Sequence, residues 1–119
     1  MGLSQLGLGT ITQVASASTA TVLTVGAGKT AYVKSLMLHN LDQTNVSNVV
    51  VHFVHSPDGS VGTANATNEI ARIGIATHDT FMLEMSYPLT LGNTNDTIQV
   101  YNINSAGIVN VQVLGDREI

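Results

Sequence analysis

Asn48-Val49-Val50-Val51-His52-Phe53-Val54-His55 is the stretch whose reading decides the fold class. On an extended chain Val49, Val51, Phe53 and His55 point to one side, and Asn48, Val50, His52 and Val54 to the other. Its β-branched and aromatic residues suit a pleated surface. Ser56-Pro57-Asp58-Gly59 then ends the run as a turn, with Pro presetting φ and Gly free to take a positive one. The same period recurs in Thr80 to Tyr87, where Phe81, Leu83, Met85 and Tyr87 alternate with Thr80, Met82, Glu84 and Ser86. Ile98 and Val100 stand opposite Thr97, Gln99 and Tyr101, and Val109, Val111 and Val113 alternate with Asn110, Gln112 and Leu114. The expected core is therefore Val49, Val51, Phe53, Phe81, Leu83, Ile98, Val100, Val111 and Val113. Thr10 to Ala15, Ala20 to Val25, Thr30 to His39 and Asn68 to Ile73 are further strand candidates. In Thr30 to His39 two phases compete, Val33 and Met37 against Leu36 and Leu38, and the pattern leaves the buried face open.

Between the runs lie Gly26-Ala27-Gly28, the polar loop Asn40 to Ser47 and Ser105-Ala106-Gly107. Thr63 to Ala71 is the best place for one short helical turn. About eight short strands, with turns roughly every ten residues, predict an all-β chain: a single antiparallel β-sandwich or jelly roll. The sandwich is expected over 10–119, behind a flexible N-terminal arm over 1–9.

The chain has 119 residues, one domain's worth. Hydrophobic residues are 44% and charged residues 10%, against about 25% charged in average soluble proteins, which excludes a disordered chain. Lys and Arg total 4 against 8 Asp and Glu, a net charge of −4 that is unsuited to a phosphate backbone, so nucleic acid is not an expected partner. There is no Cys, which excludes disulfides and thiolate chemistry. Met1 to Gly9 lacks a basic start and a long apolar run, so neither a secretory signal nor a membrane partner is expected. Its Leu3, Leu6 and Leu8 are candidate interface residues that dock on a neighbour. Thr, Asn, Ser and Gly coat the surface in place of charges. Such a surface has little electrostatic protection against association and suits packing against other subunits.

Gly26-Ala27-Gly28-Lys29-Thr30 has the end of a phosphate-binding loop but not its beginning, since Leu23 stands where the first Gly belongs. A strand rather than a helix is expected after it, so no nucleotide cofactor is expected. His52 and His55 are three apart on a strand and face opposite ways. His39 and His52 could approach across a hairpin, with His78-Asp79 contributing from a loop. A metal site needs three or four converging ligands, and the spacing guarantees none. Asp79 and Glu84 are odd-spaced, while Asp58 and Asp96 sit in turns where Asp serves local hydrogen bonds. No catalytic, cofactor or metal residue is assigned, and an enzyme is not expected. The sequons at Asn45, Asn65 and Asn95 follow from the Asn- and Thr-rich composition.

Val25-Gly26-Ala27-Gly28-Lys29-Thr30-Ala31-Tyr32-Val33-Lys34-Ser35, continued by Leu36-Met37-Leu38-His39-Asn40, resembles the opening of small β-sandwich virion proteins of tailed bacteriophages. That opening usually reads Val-Pro-Ala-Gly-Lys-Thr, then a strand closed by Asn. Leu89-Thr90-Leu91-Gly92 with Asp96-Thr97-Ile98-Gln99-Val100 is similar to the family's Leu-x-x-Gly-Asp-x-Ile-x-Val segment. Val109 to Glu118 is similar to its closing strand. The likeness runs from about Val22 to the C-terminus. Gly26 replaces the Pro, and Asn93-Thr94-Asn95 lengthens the loop before Asp96. The resemblance implies a non-enzymatic virion structural protein. Its first form is a capsid decoration (cement) protein, made in the host cytoplasm and carried on the phage head. Its partners are then the major capsid protein and itself, as a dimer or trimer. The alternative form is a tail, baseplate, neck or fibre subunit. A carbohydrate-binding module is a third reading, opposed by only 4% aromatic residues and no Trp.

Overall fold

The two competing phases of Thr30 to His39 are both used. The computed structural model describes residues 3–7, 11–104 and 107–118. In it β4 (Ala31–Asn40) pairs with β7 (Thr80–Leu91) on one side and β9 (Val109–Glu118) on the other. A β-bulge between Val33 and Ser35 shifts the register against both neighbours. The extra residue turns the strand over, so Ala31 and Val33 face inward before it and Leu36, Leu38 and Asn40 after it. Leu36 and Leu38 are wholly buried, each contributing about 1.5–3 kcal/mol by the transfer of apolar surface.

The other strands are β1 (Leu3–Gly7), β2 (Thr12–Val14), β3 (Ser18–Thr24), β5 (Ser47–Val54), β6 (Glu69–Ile75) and β8 (Thr97–Asn102). One sheet runs β1-β9-β4-β7, with β2 also on β9, and the other runs β3-β8-β5-β6. All pairings are antiparallel. The order β2-β9-β4-β7 facing β3-β8-β5-β6 is that of a jelly roll, the expected fold class. No helix occurs among the described residues. Thr63 to Asn68 is a loop rather than a helical turn, because Asn65 and Asn68 bind its backbone N–H and C=O groups with their side chains.

Val49, Val51, Ile98, Val100, Val111 and Val113 are buried between the sheets. Phe53 is half-buried and packs against them, with its ring centroid 4.5 Å from that of His55. Leu83 is likewise half-buried at the margin. Phe81 departs from its expected place in the core. It stands opposite Leu38 and so shares the inner face, yet it is 39% exposed. The reason is lateral: β7 is an edge strand with a neighbour on one side only, and its start at Phe81 lies at the margin of the core, whereas Leu83 is partly covered and Leu91 at its far end wholly so.

Residues 3–7, read from sequence as part of a flexible arm, run as β1 along the N–H and C=O edge of β9, Leu3 opposite Glu118 and Leu6 opposite Gly115. Leu8 lies outside the described residues.

Buried polar residues lock the ends of the sandwich. The Asn40 side-chain amide donates to the carbonyls of Asn45 (2.9 Å) and Ile75 (3.1 Å). Its oxygen accepts from the Asp42 N–H (2.9 Å) and the Ser47 hydroxyl (3.0 Å). Asp96, also wholly buried, accepts from the backbone N–H groups of Ser56 (2.8 Å) and Asn93 (3.1 Å). Unpaired, either group would destabilise the fold by about 1–3 kcal/mol or more.

Candidate assembly surface

β7 carries three of the exposed large hydrophobic side chains, Phe81, Met82 and Tyr87. Glu84 pairs with Ser35 and Leu89 with Val33, so Met85, Ser86, Tyr87 and Pro88 stand against Lys34 alone. The chain must loop outward there. Pro88 fits the loop because it has no N–H to lose from a ladder. At the crest Tyr87 is 86% exposed, and Met82 and Phe81 are exposed further along the strand. A cleft of about 410 Å³ lies beside the loop, lined by Lys34, Glu84, Met85 and Pro88. Exposed aromatic and Met side chains on a strand with an unpaired backbone edge are what a protein contact uses: a large apolar area and free hydrogen-bonding groups.

The sequence run Thr80 to Tyr87 stops one residue short of the informative one. A Pro inside a strand confines that strand to an edge, and Pro88 is the signal for β7. At the opposite end of the same sheet lie β1 and β2. Leu3 and Leu6 are placed there by register and are not brought together with Phe81 or Tyr87.

The charged groups are mostly spent on local contacts. Lys34 meets Asp116 at 2.9 Å, and Arg72 meets Glu69 at 3.0 Å. The Asp42 carboxylate accepts from the Thr44 and Asn45 N–H groups and side chains, which hold it down to about 2. Hydrogen bonds from Ser60 likewise lower the Asp58 carboxyl. These are turn-closing carboxylates, and no two of them converge on a common point.

The histidines are dispersed. His39 and His52 do not approach one another: they occupy the outer faces of different sheets, because β4 and β5 belong to opposite layers. His39 lies instead near His78, with ring centroids 5.6 Å apart, and bonds Thr80 through Nδ1 at 2.7 Å. His55 approaches Asp96 at 3.5 Å. Among the described residues no group of three His, Cys, Asp or Glu side chains is placed to hold a metal ion. Gly26 to Lys29 forms a tight turn, Lys29 N–H donating to the Gly26 carbonyl at 3.2 Å with Gly28 at φ 69°, and β4 follows it directly.

No protein-family model matches the chain, and no curated protein matches it. Solved structures do. A chain of the IBDV T13 viral particle superposes with a TM-score of 0.54 at 12% identity, over 98% of this chain. A chain of the cyanophage Pam1 capsid asymmetric unit gives 0.50 at 18% identity over 97%. The extra small virus of the giant freshwater prawn Macrobrachium rosenbergii gives 0.51 at 10% over 98%. This chain spans 34% of the IBDV chain, 83% of the Pam1 chain and 79% of the prawn virus chain. At these identities the likeness is one of fold alone, a jelly-roll sandwich that this chain shares with chains of these viral particles.

Proposed function

We propose that this protein is a non-enzymatic structural subunit of a virion, and specifically a decoration (cement) protein that binds as a dimer or trimer to the head of a tailed phage. The observation that carries the reading is the edge strand β7, where Phe81 on the inner face and the protruding Tyr87 are left exposed on a jelly roll of the capsid type. An edge of this kind pairs with another chain. Many copies on a symmetric shell multiply a modest contact by avidity. The dispersed histidines and turn-bound carboxylates support a role without chemistry.

The test mixes purified protein with undecorated heads and with tails, at low salt and at roughly 0.5 M salt, and measures co-sedimentation. Head binding that persists at high salt is expected, because few ion pairs are available to be screened. Binding to tails alone moves the protein to the tail, baseplate, neck or fibre reading. Loss of head binding at high salt refutes the apolar contact. Deleting residues 1–9 tests whether Leu3, Leu6 and Leu8 anchor a neighbour: unchanged binding removes that role. Copy number in purified particles gives an independent check, with hundreds expected for a head protein.

A further inference from the structure

The outer face of the β3-β8-β5-β6 sheet holds a cleft of about 430 Å³, within the roughly 300–1,000 Å³ range of small-molecule sites. Register builds its floor. Thr19 lies opposite Tyr101, Tyr101 opposite Val50, and Val50 opposite Arg72, so one row crosses all four strands. The next row brings His52 opposite Glu69. The loop residues Ala64 to Ala66 close one side.

His52 is 6% exposed and lines the cleft. Its Nδ1 lies 3.1 Å from the Asn65 carbonyl and 2.9 Å from Asn68 Oδ1. The Asn68 amide orientation follows from its other bonds, since Oδ1 accepts from the Asn65 N–H and Nδ2 donates to the Thr63 carbonyl. Nδ1 thus faces two acceptors and must carry a hydrogen. In the neutral imidazole the lone pair is then on Nε2, which takes no hydrogen bond within the described chain. Arg72 donates to Glu69 through Nε (3.1 Å) and Nη2 (3.0 Å), which leaves its remaining N–H groups available. The same bonds hold the Glu69 carboxyl below its usual range, so it stays an acceptor. Tyr101 supplies a half-buried ring and a hydroxyl.

Residues bearing an acceptor nitrogen, a carboxylate, a guanidinium fork and an aromatic ring line this one cleft, and the two charges cancel. We propose that this cleft binds a neutral, hydroxyl-rich ligand, a hexose unit of a glycan. Hydroxyls can both donate to His52 Nε2 and Glu69 and accept from Arg72, while the sugar's C–H face lies on Tyr101. The cancelled charge disfavours phosphate and acidic sugars. One aromatic ring implies weak affinity per site, which repeated copies would raise by avidity. The proposal stands apart from the β7 edge and from the virion reading.

The test is an amide-resolved NMR titration of the full chain with methyl α-glucoside, methyl β-galactoside, methyl β-N-acetylglucosaminide and methyl β-glucuronide. At least one neutral glycoside is expected to give saturable shifts at Val50, His52, Arg72 and Tyr101, with the amide of Tyr87 unmoved. Arg72→Gln and Tyr101→Leu are each expected to weaken that binding at least about tenfold while the amide spectrum stays folded. The proposal is overturned if no neutral glycoside saturates by about 50 mM. It is also overturned if the glucuronide binds best, or if neither folded variant loses affinity.

Discussion

Gly115 lies in β9 opposite Val33, at the bulge that turns β4 over. A Cβ placed there would sit 2.0 Å from the Tyr32 carbonyl oxygen and 3.0 Å from the Lys34 nitrogen. Both are backbone atoms, so no rotamer relieves the clash. Gly115→Ala must therefore push β4 and β9 apart by more than an ångström in the middle of the larger sheet. That displacement stretches two or three neighbouring ladder hydrogen bonds, about 1 kcal/mol each, and disturbs the packing of Val33 and Leu36. The expected loss is about 3–5 kcal/mol, a third or more of a typical domain's stability. Urea unfolding followed by circular dichroism measures it. Gly92→Ala is the control, because a Cβ there meets nothing within 4 Å, and it is expected to change stability by less than about 0.5 kcal/mol. A Gly115→Ala loss below about 1 kcal/mol would refute the close approach and, with it, the account of the β4 bulge.

Three further outcomes are expected. Leu36→Ala should cost about 3 kcal/mol and Phe81→Ala about half as much, since Leu36 is wholly buried and Phe81 is not; equal losses in urea midpoints would return Phe81 to the core. Asp42 should titrate at about 2 in the folded protein against an ordinary value of 3.8. Its folded pKa is depressed, so its stabilisation is present above 3.8 and is lost as pH falls from there through about 2; Asp42→Asn should flatten the acid limb of a stability–pH curve, and an unchanged limb counts against the turn carboxylate. Tyr87→Ser should leave the melting temperature within about 2 °C, given 86% exposure, while weakening head binding about tenfold; a large drop in melting temperature would mean that the β7 crest is packed.

Alternation along a strand reports which way a side chain points, and here it located eight of the strands. It does not report how far across the sheet that strand lies. β5 and β7 each carry an apolar set on the side that faces the other sheet, yet Val51 is wholly buried and Phe81 is not, because β5 sits between two strands and β7 has one. The difference is present in the residues. Val49-Val50-Val51 is continuous rather than alternating, the mark of a strand covered on both faces, and Val50, His52 and Val54 on its outer side are indeed buried. Pro88 marks the edge.

The cleft and the polar locks were harder to read. His52, Glu69, Arg72 and Tyr101 come from three strands, and only the register of β5 against both β6 and β8 brings them into adjacent rows. No spacing within one segment carries that information. Asn40 and Asp96 look like loop residues because one ends a strand and the other directly precedes one, and their burial depends on partners 35 and 40 positions away. The β4 bulge shows the same limit at its sharpest. The two apolar phases of Ala31–Asn40 require a turn-over somewhere between Val33 and Leu36. Gly115, inside an otherwise regular strand, requires that another backbone come close. Each is ambiguous alone, since a mixed phase also fits a strand covered on both sides and a strand Gly also fits a bend. Together they admit one arrangement, in which the bulge of β4 occupies the space that a side chain at 115 would need.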